Sequence, residues 1–127
     1  MKRAALEHII RAAADITGEA EFVVVGSSAV LAQFPDAPDI MLRSNEADIY
    51  PPNAPEKSWD IEDSLGSGSQ FHETFGYFAD GVGPETSRLP RGWHDRAYVL
   101  RTANTGGAKA ICPEIHDLAA SKTLAGR

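Results

Sequence analysis

A continuous apolar run, Phe22-Val23-Val24-Val25, ends abruptly in Gly26-Ser27-Ser28. Four β-branched or aromatic residues in succession, with no polar alternation, read as a strand covered on both faces. Such a strand belongs inside a sheet with helices or long segments packed on it. An α/β (α+β) domain with a mixed β-sheet flanked by helices is therefore the expected fold class.

The flanking sequence agrees. Residues 2–17 place Leu6, Ile9, Ile10, Ala13 and Ile16 on one stripe at three- and four-residue spacing, with Gly18 where a helix stops. Ser27 or Ser28 is expected to cap a short helix reaching Phe34, which Pro35 ends. Residues 35–45 form a loop. A second strand covers 46–50 and stops at Pro51-Pro52. A helix over 56–65 turns Ile61 and Leu65 inward and Lys57, Asp60, Glu62 and Asp63 outward. Phe71 to Val82 reads as a third strand, Ala97 to Arg101 as a fourth and Lys109 to Cys112 as a fifth. A last helix spans 114–125, with Ile115, Leu118, Ala119 and Leu124 as its apolar members.

At 127 residues and 43% hydrophobic content the chain suffices for one domain with its own core and is too short for two. Its single cysteine, Cys112, rules out an internal disulfide and fits a cytoplasmic home. No apolar run approaches the ~18 residues that cross a membrane, so no membrane partner is expected. The formal net charge of −6 argues against a surface that gathers nucleic acid indiscriminately. The charge is uneven. Eight acids and two bases lie between Asp36 and Asp63, whereas Arg88, Arg91, Arg96 and Arg101 face only Asp95 in the later segment. A metal-binding centre beside a phosphate-attracting segment produces this asymmetry, and so does a solvated surface with random charge placement.

Within the second strand, Glu46-Ala47-Asp48-Ile49-Tyr50, side chains alternate. Glu46, Asp48 and Tyr50 share one face, with Ala47 and Ile49 on the core face. Two carboxylates so close repel unless a cation lies between them, and Mg2+ takes hard oxygen ligands. Ordinary acids on an exposed edge strand fit the same residues. Gly26 and Ser27 admit a phosphate through close backbone approach, the N–H groups of a helix start and a hydroxyl. A plain strand-to-helix turn fits them too. Asp80, at the end of the third strand, is the best third carboxylate by position, and Asp95 the second. Ala79-Asp80-Gly81 is also a good turn sequence.

Other reactive residues offer less. Lys122 and Arg127 are placed to reach a triphosphate or simply to be solvated. The histidines, His8, His72, His94 and His116, lack metal-binding spacing. Cys112 reads as a small core residue rather than a nucleophile. Trp93, with Arg91 and Arg96 beside it, suits either stacking on a base or anchoring a loop.

Val25-Gly26-Ser27-Ser28-Ala29-Val30-Leu31 and Ser44-Asn45-Glu46-Ala47-Asp48-Ile49-Tyr50-Pro51 resemble the opening motifs of a bacterial nucleotidyltransferase-like family of unknown function. The resemblance continues through Phe71-His72-Glu73-Thr74-Phe75-Gly76-Tyr77, Ala79-Asp80-Gly81-Val82, Leu89-Pro90-Arg91-Gly92-Trp93-His94-Asp95-Arg96 and His116-Asp117-Leu118-Ala119-Ala120-Ser121-Lys122. That family looks like a distant branch of the DNA polymerase β-like nucleotidyltransferase superfamily. It is related to AbiE-type toxins and the minimal nucleotidyltransferases of toxin–antitoxin pairs.

The resemblance implies a small mixed sheet flanked by helices. It implies that Gly26, Ser27 and Ser28 hold nucleotide phosphates, that Glu46 and Asp48 hold magnesium, and that Lys122 contacts the nucleotide. Glu46 stands where the superfamily more often has aspartate. Relatives continue beyond Ala125-Gly126-Arg127 with a lysine-aspartate pair and a further helix, so residues 1–127 are expected to form one domain without that segment. Two functions follow as expectations. One is transfer of a nucleotidyl group from a magnesium–nucleoside triphosphate to an RNA or protein hydroxyl. The other is a catalytically weak or inactive module that binds a partner protein, or a second copy of itself across apolar surface left by the short last helix.

Overall fold

The computed structural model describes residues 1–37 and 44–124, the side chains of 122–124 excepted. Among the described residues, six α-helices and five strands follow in the order α1 (Arg3–Thr17), β1 (Glu21–Val25), α2 (Val30–Gln33), β2 (Glu46–Tyr50), α3 (Ser58–Leu65), α4 (Gln70–Phe75), β3 (Phe78–Gly81), α5 (Trp93–Arg96), β4 (Tyr98–Leu100), β5 (Lys109–Cys112) and α6 (Ile115–Leu124). The strands form one mixed sheet in the order β3-β2-β1-β5-β4. β1 pairs antiparallel with β2 and parallel with β5; β2 pairs parallel with β3, and β4 antiparallel with β5. The expected mixed sheet with helices packed on it is thus present.

β1 lies at the centre, and its apolar run divides between two faces. Phe22 and Val24 join the main core with Leu6, Ile9, Ile10 and Ala13 of α1, Leu31 of α2, and Ile61 and Leu65 of α3. Val23 and Val25 face the other way, into a smaller cluster with Tyr50 and Ile111. Val82, Leu89, Trp93 and Ala97 close that second face from the segment after β3. Each fully buried aliphatic or aromatic side chain contributes roughly 2 kcal/mol of transfer free energy, so the four-residue stripe of α1 outweighs its intrinsic helix preference.

Several expectations need correction. Ile16 is 38% exposed, and its neighbour Thr17 is buried instead, its Oγ1 donating to the Ala13 carbonyl at 2.7 Å. The strand expected over Phe71–Val82 is confined to Phe78–Gly81. Its first part is α4, capped by Ser69, whose hydroxyl accepts the His72 N–H at 3.1 Å, and ended by Gly76 in the left-handed region at φ 81°. Neither Ser27 nor Ser28 caps α2 through its side chain; Gly26 precedes a 3-10 turn over Ser27–Ala29. Ala119 of α6 is exposed, whereas Asp117 and Leu118 are buried. The centre of the expected 35–45 loop and the end of the expected last helix at Ala125 lie outside the described residues. Among the described residues, no helix is long and apolar enough to cross a membrane.

Candidate metal and nucleotide site

The second face of the sheet carries the acids. Alternation along β2 sends Ala47 and Ile49 into the main core, fully buried, and leaves Glu46 and Asp48 on the opposite side, partly exposed. Parallel pairing sets Asp48 directly against Asp80 of β3. One carboxylate oxygen from each of Glu46, Asp48 and Asp80 lies within 4.8 Å of the others. Of the two third acids weighed from sequence, Asp80 therefore stands with the pair. Asp95 is exposed on α5 and takes no part in the cluster.

The three groups disturb one another. Asp80 is pushed up to about 6, first by burial and then by its hydrogen bond and charge contact with Glu46. Asp48 is raised by burial and by the charges of Asp80 and Glu62, against a lowering hydrogen bond with Glu46. For Glu46 a hydrogen bond with Asp80 lowers the pKa, but contact with Asp48, burial and the charges of Asp48 and Glu62 outweigh it, so the net shift is upward. Carboxylates that raise one another in this way are held in repulsion at neutral pH, which protonation or a cation relieves.

Glu62 is the acid that sequence reasoning placed only on a solvated helix face. Its Oε2 accepts the Gly81 N–H at 2.9 Å, and burial raises its pKa despite that bond, with Asp80 adding to the rise. The signal was absent from α3 itself, because Glu62 reaches the cluster only once α3 packs on β3. Gly81 permits that packing: a Cβ there would lie 1.9 Å from the Ser58 carbonyl oxygen.

The Gly26 turn adjoins the same cluster. Val25, the last residue of β1, is the register partner of Asp48. Gly26 has φ 78° and ψ −171°, and a Cβ on it would approach Asp48 Oδ2 to 3.3 Å. Ser27 is exposed. Ser28 is 6% exposed and its Oγ has no hydrogen-bond partner among the described residues, an arrangement that costs about 1–3 kcal/mol when unrelieved. The four-residue α2 carries far less dipole than the full helix start expected for holding phosphate. Of the two serines of the turn, Ser27 is open to solvent and Ser28 is buried.

The donor set could hold a metal ion: three hard carboxylate oxygens converge, all three residues are partly exposed, and no soft ligand is among them. The chemistry suits Mg2+ better than Zn2+, which favours nitrogen and sulfur.

The remaining expectations divide. Lys122 lies on α6, but its side chain is outside the described residues, as is Arg127. Trp93 anchors its loop on the second apolar cluster. Arg96 is not free to greet a phosphate: its Nε and Nη2 donate to the two carboxylate oxygens of buried Asp117, both at 2.9 Å. Cys112 is buried in the main core with its thiol pushed up to about 12 by desolvation. His8 Nδ1 lies 2.6 Å from the Tyr77 hydroxyl within a group of rings that includes Phe71 and Phe75.

No protein-family model, curated protein or solved structure matches this chain.

Proposed function

We propose that this protein binds a magnesium–nucleoside triphosphate and transfers its nucleotidyl group to a hydroxyl on RNA or protein, in a toxin–antitoxin or phage-defence setting. The observation that carries the reading is the meeting of Glu46, Asp48 and Asp80 within 4.8 Å, beside a turn whose glycine approaches Asp48. The sequence resemblance supplies the reaction class.

In this reading Glu46, Asp48 and Asp80 hold the cation, and Gly26, Ser27 and Ser28 face the phosphates. Magnesium bound there would polarise the α-phosphate and offset triphosphate charge. The acceptor hydroxyl oxygen bonds to the α-phosphorus as the bond to the bridging β-phosphate oxygen breaks. Pyrophosphate departs with that electron pair, and a carboxylate of the cluster takes the hydroxyl proton.

Calorimetric titration of each of the four magnesium–nucleoside triphosphates into wild type and Asp48→Asn tests the site. Binding by wild type that the variant loses is the expected result. A folded wild type that binds none of the four turns the reading to a module that recognises a partner protein without chemistry.

A further inference from the structure

α3 carries an unusual side chain beside the acid cluster. Trp59 is 80% exposed, more than any other large apolar residue described. It stands between two open grooves, of about 350 and 580 Å3, and both are lined by Trp59 and Glu62. The smaller groove follows Gly81 and Val82, the residues directly after Asp80, and shares with the cluster's surroundings Glu62, whose charge acts on Asp48 and Glu46. Glu56 and Glu85 line it, and Asp60 and Asp63 line the larger one. Among the described residues, every titratable side chain lining either groove is an acid.

An exposed indole flanked by carboxylates is a receptor for cations. The ring face attracts ammonium and guanidinium groups, and the acids add charge complementarity. The same acids repel a phosphate backbone, which disfavours a nucleic-acid strand along this path. Small-molecule sites are concave and largely apolar; two open acidic grooves divided by one ring suit an extended chain.

We propose that these grooves dock a basic protein segment, a lysine or arginine stacked on Trp59, so that a hydroxyl of the segment reaches the acid cluster as the acceptor. The proposal rests on the nucleotidyl-transfer reading for its chemistry, in which the segment's hydroxyl oxygen replaces pyrophosphate at the α-phosphorus. Its docking half stands on the grooves alone.

The test is fluorescence anisotropy at low salt, without nucleotide, using a labelled short peptide of alternating lysine and serine. A peptide with glutamine for lysine and a single-stranded oligonucleotide of equal length are the controls. The lysine peptide is expected to bind and the controls not. Trp59→Ala and the double variant Asp60→Asn/Asp63→Asn, both at exposed positions, are expected to weaken binding by about tenfold or more with unchanged circular dichroism. Equal affinity in Trp59→Ala, no binding by wild type, or preference for the oligonucleotide overturns the docking. Adding the magnesium–nucleotide then asks whether the peptide serine becomes nucleotidylated. Docking without transfer, in a protein that binds the nucleotide, overturns the acceptor role; docking in a protein that binds no nucleotide marks failure of the earlier reading instead.

Discussion

Asp48 and Asp80 are register partners on the parallel strands β2 and β3, so their carboxylates leave the sheet on one face with Glu46 beside them. The charge of Asp80 raises the pKa of Asp48, so a dependence of stability on pH is expected, and in the proposed reading one on divalent cations as well.

The first prediction concerns that dependence. Asp80 titrates at about 6 in the folded protein against an ordinary 3.8, so between these values the folded chain keeps a proton that the unfolded chain has released. The resulting penalty is absent below about pH 4, grows with rising pH and is complete above about pH 6. Asp80 is partly exposed, so screening reduces the cost to about 1 kcal/mol. At pH 7.5 Asp80→Asn should melt about 3–6 °C above metal-free wild type, and Mg2+ should raise the wild-type melting temperature while leaving the variant's unchanged. Scanning calorimetry at pH 5 and 7.5 checks this. An Asp80→Asn protein no more stable than wild type at pH 7.5, or one still stabilised by Mg2+, sinks it.

Gly26→Ala tests the turn. The backbone conformation at Gly26 is one that only glycine adopts readily, and forcing a side chain into it costs about 1–3 kcal/mol. The new methyl group would also crowd Asp48 Oδ2. The urea midpoint should fall, and the heat of magnesium–nucleotide binding should vanish at temperatures where the variant stays folded. Wild-type stability in Gly26→Ala would contradict the geometry.

Gly81→Ala tests the contact that delivers Glu62. The added carbon would meet backbone on α3, at Ser58 and at the Glu62 N–H, which cannot yield as a flexible side chain does. α3 must shift from β3, losing the 2.8 Å bond from Ser58 Oγ to the Val82 carbonyl. A loss of about 3 kcal/mol is expected in denaturant titration. Retention of wild-type stability would mean that the two elements pack less closely than described.

The fourth prediction concerns the tie between α5 and α6. Removing Arg96 leaves the buried Asp117 carboxylate without its bidentate donor, so Arg96→Ala should lower the urea midpoint. The double variant Arg96→Ala/Asp117→Ala should recover part of that loss, because the stranded charge goes too. A double variant no more stable than Arg96→Ala would indicate that the pair does not act as a unit.

Much of this architecture is legible in the sequence where one period decides the answer. The stripe of α1 and the two-residue spacing of Glu46 and Asp48 each follow from local geometry. The segment from Phe71 misleads because its aromatic residues favour a strand while Ser69 and Gly76 mark the two ends of a short helix; the capping signals prevail. Asp80 can be proposed from position, but its place beside Asp48 depends on parallel pairing between strands far apart in sequence. Glu62 and Trp59 are harder still. Both sit on the outward side of α3, and only the packing of α3 onto β3 brings Glu62 to the acids.

The division of β2 between its two faces ties folding accuracy to site assembly. A slip of one residue against β1 would bring Glu46 and Asp48 into the apolar core and turn Ala47 and Ile49 outward. Misregistered chains would therefore fail as folded proteins before they could fail as metal binders. Selection for solubility alone, in a mutant library, would enrich for variants that keep the register of β2, whether or not the acids themselves are retained.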